Sequence, residues 1–225
     1  MTPPLKLSRN ELAALLKSVF QACFGHSQDW AAMAHSVLWL EAHGFDGLAI
    51  LMDAMDEEMC LAPFAGDIQD VSTGYIVDFN GGHAILAAHM MADLAVEAAL
   101  RHGTGTIKIM GTAGPSTFIA ALPHCARQGF AAQVTGREYD AHILPRDDYP
   151  SLHERRSEAI TLTCAAEIAL PKGKCLQPAE QLQSYYQKTL MNGLAIDPGI
   201  YRALMKVADR TLVEASEASR KGAGE

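Results

Sequence analysis

Between positions 75 and 134 the hydrophobic pattern changes period four times. Tyr75-Ile76-Val77 is a short apolar run closed by Asp78-Phe79-Asn80-Gly81-Gly82, whose paired glycines let the backbone reverse. From His83 to His102 the spacing becomes helical, with Ile85, Leu86, Met90, Leu94, Val96 and Leu100 recurring every three or four positions. Gly103 follows a last turn that carries Arg101 and His102, a combination that ends helices. Ile107-Lys108-Ile109-Met110 is a second strand, and Gly111-Thr112-Ala113-Gly114-Pro115 cannot continue it. A second helix is expected from Ser116 to just before Gly129, kinked or shortened by Pro123, which lacks an N–H. Phe130 to Val134 then reads as a third strand. Strands alternating with helices over short connections predict an α/β fold, a parallel or mixed sheet layered with helices.

The first sixty residues are helical by the same test. Ser8 and Glu11 fit a capping box ahead of Leu12, Leu15, Leu16, Val19 and Phe20. Ser27 is placed to cap a second helix through Trp30, Met33, Val37, Leu38 and Leu40 that stops before Gly44. Asp46 is placed to cap a third through Leu48, Leu51, Met52 and Met55. The expectation is a helical bundle over residues 7–60 lying against the sheet. Its second and third helices are apolar on several faces, and a sheet shields only one, so a homodimer is expected to cover the rest.

The remainder of a single 225-residue domain follows. Residues 62–73 form a Pro/Gly-containing connector into a central sheet unit spanning 74–170. Residues 136–157, with Arg137, Glu138, Asp147, Asp148 and Arg155 among their charges, read as a long polar loop, either a lid or a linker. Ala159 to Cys164 has strand character. Pro178 and Asp197-Pro198 open two C-terminal helices within 177–212, and the small, polar tail 213–225 is expected to fray or to dock as an arm.

Composition removes several classes of function. The net charge of −8 argues against nucleic acid or an anionic membrane as partner. No apolar run reaches the roughly 20 residues that span a bilayer, and Met1 to Lys6 lacks an apolar signal region, so a cytoplasmic protein is expected. Five scattered cysteines without a CxxC pair suggest reduced, mostly buried thiols rather than zinc or disulfides.

Candidate chemistry is sparse. No GxGxxG after a strand, P-loop, GxSxG or HExxH occurs. The acidic run Asp53, Asp56, Glu57 and Glu58 lacks the fixed spacing of an oxygen-ligand site and reads as a solvated helix face. His83 and His89 would face different sides of one helix, so no metal site is expected. The segment from Gly111 through Thr112, Gly114 and Ser116 to Thr117 follows a strand and opens a helix. Its backbone N–H groups are placed to receive a small carboxylate or a phosphate, the plainer alternative being a strand-to-helix turn capped by Ser116. His43 and Asp46 flank the turn between the second and third helices. His43 is a candidate acid, or else a last-turn complement to the helix dipole.

Two stretches resemble the type-2 malate/L-lactate dehydrogenase family, which binds a nicotinamide cofactor without a Rossmann fingerprint. One runs from Leu40 to Ala49 through His43-Gly44-Phe45-Asp46, where that family has Arg-Gly-x-Asp-Ser-His-Gly; the other is the block from Asp78 to Val134. The whole chain is similar to a short bacterial family of unknown function derived from that fold. The resemblance implies an NAD(P) cofactor, a dimer and a 2-keto or 2-hydroxy acid substrate. It also puts the family's catalytic Ser-His pair on Gly47 and Leu48 and its second histidine on Gly114, and leaves fewer than 100 residues for the cofactor-contacting half. Reducing a keto acid needs a proton donor at the carbonyl oxygen, and neither glycine nor leucine supplies one. The expected function is therefore a non-redox binder of small carboxylates or a supporting subunit. The alternatives are an NAD(P)-dependent oxidoreductase with His43 as a substituted acid, and a purely structural interaction protein.

Overall fold

A computed structural model describes residues 3–24, 29–56, 58–136, 139–154, 157 and 159–222. Three helices come first: α1 (Arg9–Phe24), α2 (Trp30–Ala42) and α3 (Gly47–Ala54). The capping box opens α1, with the Ser8 N–H donating to Glu11 Oε2 at 2.7 Å and the Glu11 N–H to Ser8 Oγ at 3.2 Å. Ser27 lies outside the described residues; the cap of α2 comes from Asp29, whose Oδ1 accepts from the Ala32 N–H at 3.0 Å. Asp46 occupies the N-cap position of α3 with a left-handed backbone (φ +50) and makes no side-chain cap. Glu41, one turn back on α2, does that work instead by accepting from the Leu48 N–H at 2.9 Å.

The strands β1 (Leu5–Leu7), β2 (Asp67–Val71), β3 (Gly74–Asp78), β4 (Thr104–Met110), β5 (Ala131–Thr135), β6 (Tyr139–Ile143), β7 (Ser151–Glu154), β8 (Ile160–Ala165), β9 (Cys175–Gln177) and β10 (Leu194–Ile196) form two sheets. The larger is mixed, in the order β2-β3-β4-β8-β5-β6-β7-β9, and β3–β4 is its single parallel pair among the described residues. The smaller pairs β1 with β10 and ties the two ends of the described chain together.

Several expectations are corrected by this topology. The run 62–73 is not a bare connector, because β2 pairs along the edge of β3. The stretch 136–157 is not a loop: β6 and β7 form a hairpin there, although Arg137, Glu138, Arg155 and Arg156 lie outside the described residues. In β6 the polar residues Asp140 and His142 alternate with Ala141 and Ile143, as on a strand with one face in water, yet both polar residues are buried. The helix expected from His83 breaks into a 3₁₀ turn (Ala84–Leu86) and α4 (Ala88–His102). The helix expected from Ser116 divides into a 3₁₀ segment (Pro115–Ala121) and α5 (Leu122–Arg127), and the change falls where Pro123 fits a first helical turn. At the C-terminus, α6 (Ala179–Asn192) is followed by α7 (Pro198–Gly222), which runs through most of the expected tail; residues 223–225 lie outside the described ones.

Two hydrophobic clusters meet on α2. Trp39 and Leu40 join Val77, Met91, Ile107, Phe118 and Leu162 on the sheet side. Met33, Val37 and Leu38 join Leu12, Phe20, Leu51, Leu204 and Val207 on the side of α1 and α7. The helix is apolar all round because one chain surrounds it, so its composition does not call for a second copy. Of the cysteines, Cys125 and Cys164 are buried, Cys23 and Cys60 half-buried and Cys175 exposed, fewer buried than expected.

Candidate functional site

His43 follows the last turn of α2 and is 3% exposed. Its ring lies in an aromatic stack, with the Trp39 centroid at 4.1 Å on one side and Tyr186 of α6, parallel within 2°, at 5.1 Å. Tyr149 closes a third side at 5.7 Å. Nδ1 is 2.5 Å from the Trp39 carbonyl oxygen, which can only accept, so the proton sits on Nδ1 and the Nε2 lone pair is bare. Nε2 is buried and has no partner among the described residues. Burial pushes the pKa of His43 down to about 4; the Trp39 carbonyl opposes this, and Arg9 and His35 add to it.

His43 is part of the wall of a cleft of about 260 Å³ between α1, α2, α5 and α6. Arg9, Arg127, Asp148, Tyr149 and Tyr186 line it together with His43. Arg9, Arg127 and Asp148 form no ion pair among the described residues. Both arginines reach the cleft electrostatically, since His35 on its wall is held below the ordinary histidine range by burial first and then by Arg127 and Arg9. The cleft combines two cations, one carboxylate and a buried acceptor. Only His43 was legible as a candidate. Arg9 is hidden within a capping box, Arg127 ends a short helix, and Asp148, Tyr149 and Tyr186 come from segments with no shared motif.

The other predicted residues lie outside this cleft. Asp46 is exposed and does not reach this cleft's lining. A Cβ on Gly47 would run into the Val37 carbonyl oxygen and stand 2.8 Å from the Glu41 nitrogen. Leu48, 3% exposed, points into the helical core. Gly111 and Gly114 both take left-handed conformations (φ +59 and +60). A Cβ on Gly111 would stand 2.5 Å from Asp78 Oδ1, so a carboxylate of the protein itself already lies against the turn. A Cβ on Gly114 would overlap the His83 imidazole, whose Nδ1 accepts from the Ile85 N–H at 3.2 Å and caps the 3₁₀ turn. The Thr112 hydroxyl donates to the Ala113 carbonyl at 3.1 Å. Ser116 makes no cap, and the Thr117 hydroxyl is buried without a partner among the described residues. Gly111 and Thr112 also border an open depression with Lys108 and Ile160 on the outer side of the turn.

His83 and His89 do not share a helix: His83 precedes the 3₁₀ turn and His89 lies in α4 beside His35 and His124. Of the acidic run, Asp53 is exposed on α3, whereas Asp56 builds a turn beyond it by accepting from the Glu58 and Cys60 N–H groups; Glu57 lies outside the described residues. No group of three metal-ligating side chains gathers among the described residues.

This arrangement of helices on one mixed sheet is a malate/lactate dehydrogenase-like fold. Malate dehydrogenase from Entamoeba histolytica superposes with a TM-score of 0.64 at 9% identity, over 92% of this chain and 98% of its own. A dehydrogenase from Sinorhizobium meliloti gives 0.67 at 8% identity, over 91% and 99%. Sulfolactate dehydrogenase from Methanocaldococcus jannaschii gives 0.63 at 9% identity, over 91% and 97%. No family model and no curated protein matches the sequence. The likeness runs almost end to end in both directions.

Proposed function

We propose that the chain uses the α1–α2 cleft to bind a small carboxylate without redox chemistry. The observation that carries this reading is the wall of this cleft, where Arg9 and Arg127 stand with the buried His43, whose Nε2 has no partner of its own among the described residues. A buried polar atom is ordinarily satisfied, and a ligand hydroxyl or ammonium would satisfy this one. The guanidinium groups match a carboxylate in both charge and geometry.

Two features speak against hydride chemistry with NAD(P). The positions that the resemblance assigns to the family's acid and its partners are closed by Val37, the helical core and His83, so the residues there do not fit a site for polarising a carbonyl. His43 itself is a poor substitute. With the proton on Nδ1 and a pKa near 4, its Nε2 carries no proton to donate at neutral pH, and it is too weak a base to draw a proton from a hydroxyl. The cleft is also preferred to the Gly111–Thr117 turn as the ligand's place, since Asp78 would repel an anion there.

Calorimetric titration with a panel of small mono- and dicarboxylates tests this reading. Saturable binding that is lost in Arg127→Gln and Arg9→Gln is expected. No heat from any carboxylate at millimolar concentration, or steady NADH or NADPH oxidation with pyruvate or oxaloacetate, would overturn it. The dimer implied by the resemblance is a separate proposal. Its interface would have to lie away from α2, whose faces are covered, and sedimentation at micromolar concentration decides it.

A further inference from the structure

Three charged side chains of both signs line the same cleft, and none of them is paired among the described residues. A site built for a plain carboxylate has no use for Asp148. An anion seated by Arg9 and Arg127 would be repelled by that carboxylate, because like charges a few ångströms apart disfavour each other. The same wall carries two further features that suit a cation. His43 Nε2 offers a lone pair and no proton. Tyr149 and Tyr186, with centroids 6.3 Å apart, present aromatic rings whose faces attract an ammonium group. Burial first, and then Tyr186 and Asp148, raise the pKa of the Tyr149 phenol, which keeps that ring neutral.

We infer that the ligand of this cleft is a zwitterion, an α-amino acid or a close analogue, with its carboxylate toward Arg9 and Arg127 and its ammonium toward Asp148 and His43 Nε2. The inference rests on the carboxylate reading and adds the second pole. A 2-hydroxy acid would satisfy Nε2 but would leave Asp148 facing only anions. An amine alone would leave both arginines unmatched. An α-amino acid answers all four groups, and an ammonium has three N–H bonds to share between Asp148 and His43.

Calorimetry with the full chain separates the alternatives. The twenty standard L-amino acids are titrated at pH 7.5. For alanine, leucine and phenylalanine the matched 2-hydroxy acid, deaminated acid and amine are titrated beside them. The expected result is that at least one amino acid binds tenfold or more tightly than its hydroxy and deaminated partners, and that its amine does not bind. In Asp148→Asn that preference should collapse to less than threefold while the deaminated acid binds as before or more tightly. Asp148 is exposed, so the variant should fold, and an unchanged far-UV spectrum and melting temperature verify that. Equal binding of amino acid and deaminated acid would overturn the zwitterion inference and leave the carboxylate reading standing. Binding by no carboxylate of any kind would overturn both. An amino-acid preference that survives Asp148→Asn unchanged would remove Asp148 from the site and with it the inference.

Discussion

The two ends of the α2–α3 turn have been treated in opposite ways. At one end Gly47 and Leu48 are sealed: a glycine pressed against the Val37 carbonyl, then a leucine in the helical core. At the other end His43, four residues earlier, is almost as buried, yet it stands on the wall of a cleft with charges around it. Both regions are dense, so burial does not distinguish them. The difference is polar satisfaction. The Leu48 N–H has found Glu41, whose own pKa is raised by burial, whereas His43 Nε2 has no partner among the described residues. A malate/lactate dehydrogenase-like fold can therefore be sealed at one end of a turn and keep an unsatisfied polar atom at the other.

The largest effect should come from reopening the sealed end. Gly47→Ala or Gly47→Ser, the latter restoring the residue type the resemblance suggests, places a Cβ against backbone atoms that cannot step aside. A loss of about 3 kcal/mol or more in urea unfolding is expected. A loss under about 1 kcal/mol would mean that α2 and α3 can separate, and the contrast between the two ends would fail.

The second effect belongs to pH and to His43. Its folded pKa, about 4, lies below the ordinary histidine value of 6.5. Above pH 6.5 neither state takes the proton and stability is unaffected. As pH falls from 6.5 toward 4 the unfolded chain takes up a proton that the folded chain refuses, so stability falls. Between pH 7.5 and pH 5 this amounts to about 2 kcal/mol from His43 alone. His89 is also held near 4, chiefly by burial, and acts in the same direction. His43→Phe keeps the stack and removes the titration, so its pH slope should be shallower; an unchanged slope would mean His43 is not buried neutral.

A smaller effect is expected at the other glycine to which the resemblance assigns a catalytic role. Gly114→Ala meets a flexible imidazole rather than backbone, and its main penalty is the left-handed conformation, about 1 kcal/mol. Adding His83→Ala removes the clash but also the cap on Ile85, so the pair should be non-additive. Additivity within experimental error would place the two side chains apart. Smallest of all, Arg127→Gln should change stability by less than about 0.5 kcal/mol, since the side chain is exposed and forms no ion pair among the described residues. A larger loss would make Arg127 part of the fold rather than a ligand contact.

Residue order alone determined the α/β class, the capping box at Ser8 and Glu11, the N-terminal helices, the break at Pro123, and the strands at β3, β4, β5 and β8. Each is a local matter, settled by apolar spacing, by a side chain reaching its own backbone or by a missing N–H. The sequence also singled out His43. Tertiary structure decided what no local pattern encodes. Strand β8 inserts between β4 and β5, antiparallel to both, because pairing partners far apart in the chain are chosen by the packing of a whole sheet. The hairpin β6–β7 escaped notice because its polar residues are buried by distant segments. The same holds for the cleft. Positions 9, 43, 127, 148, 149 and 186 come from distant parts of the chain and share no motif, and only the folding of α1, α5 and α6 around the end of α2 brings them to one cleft.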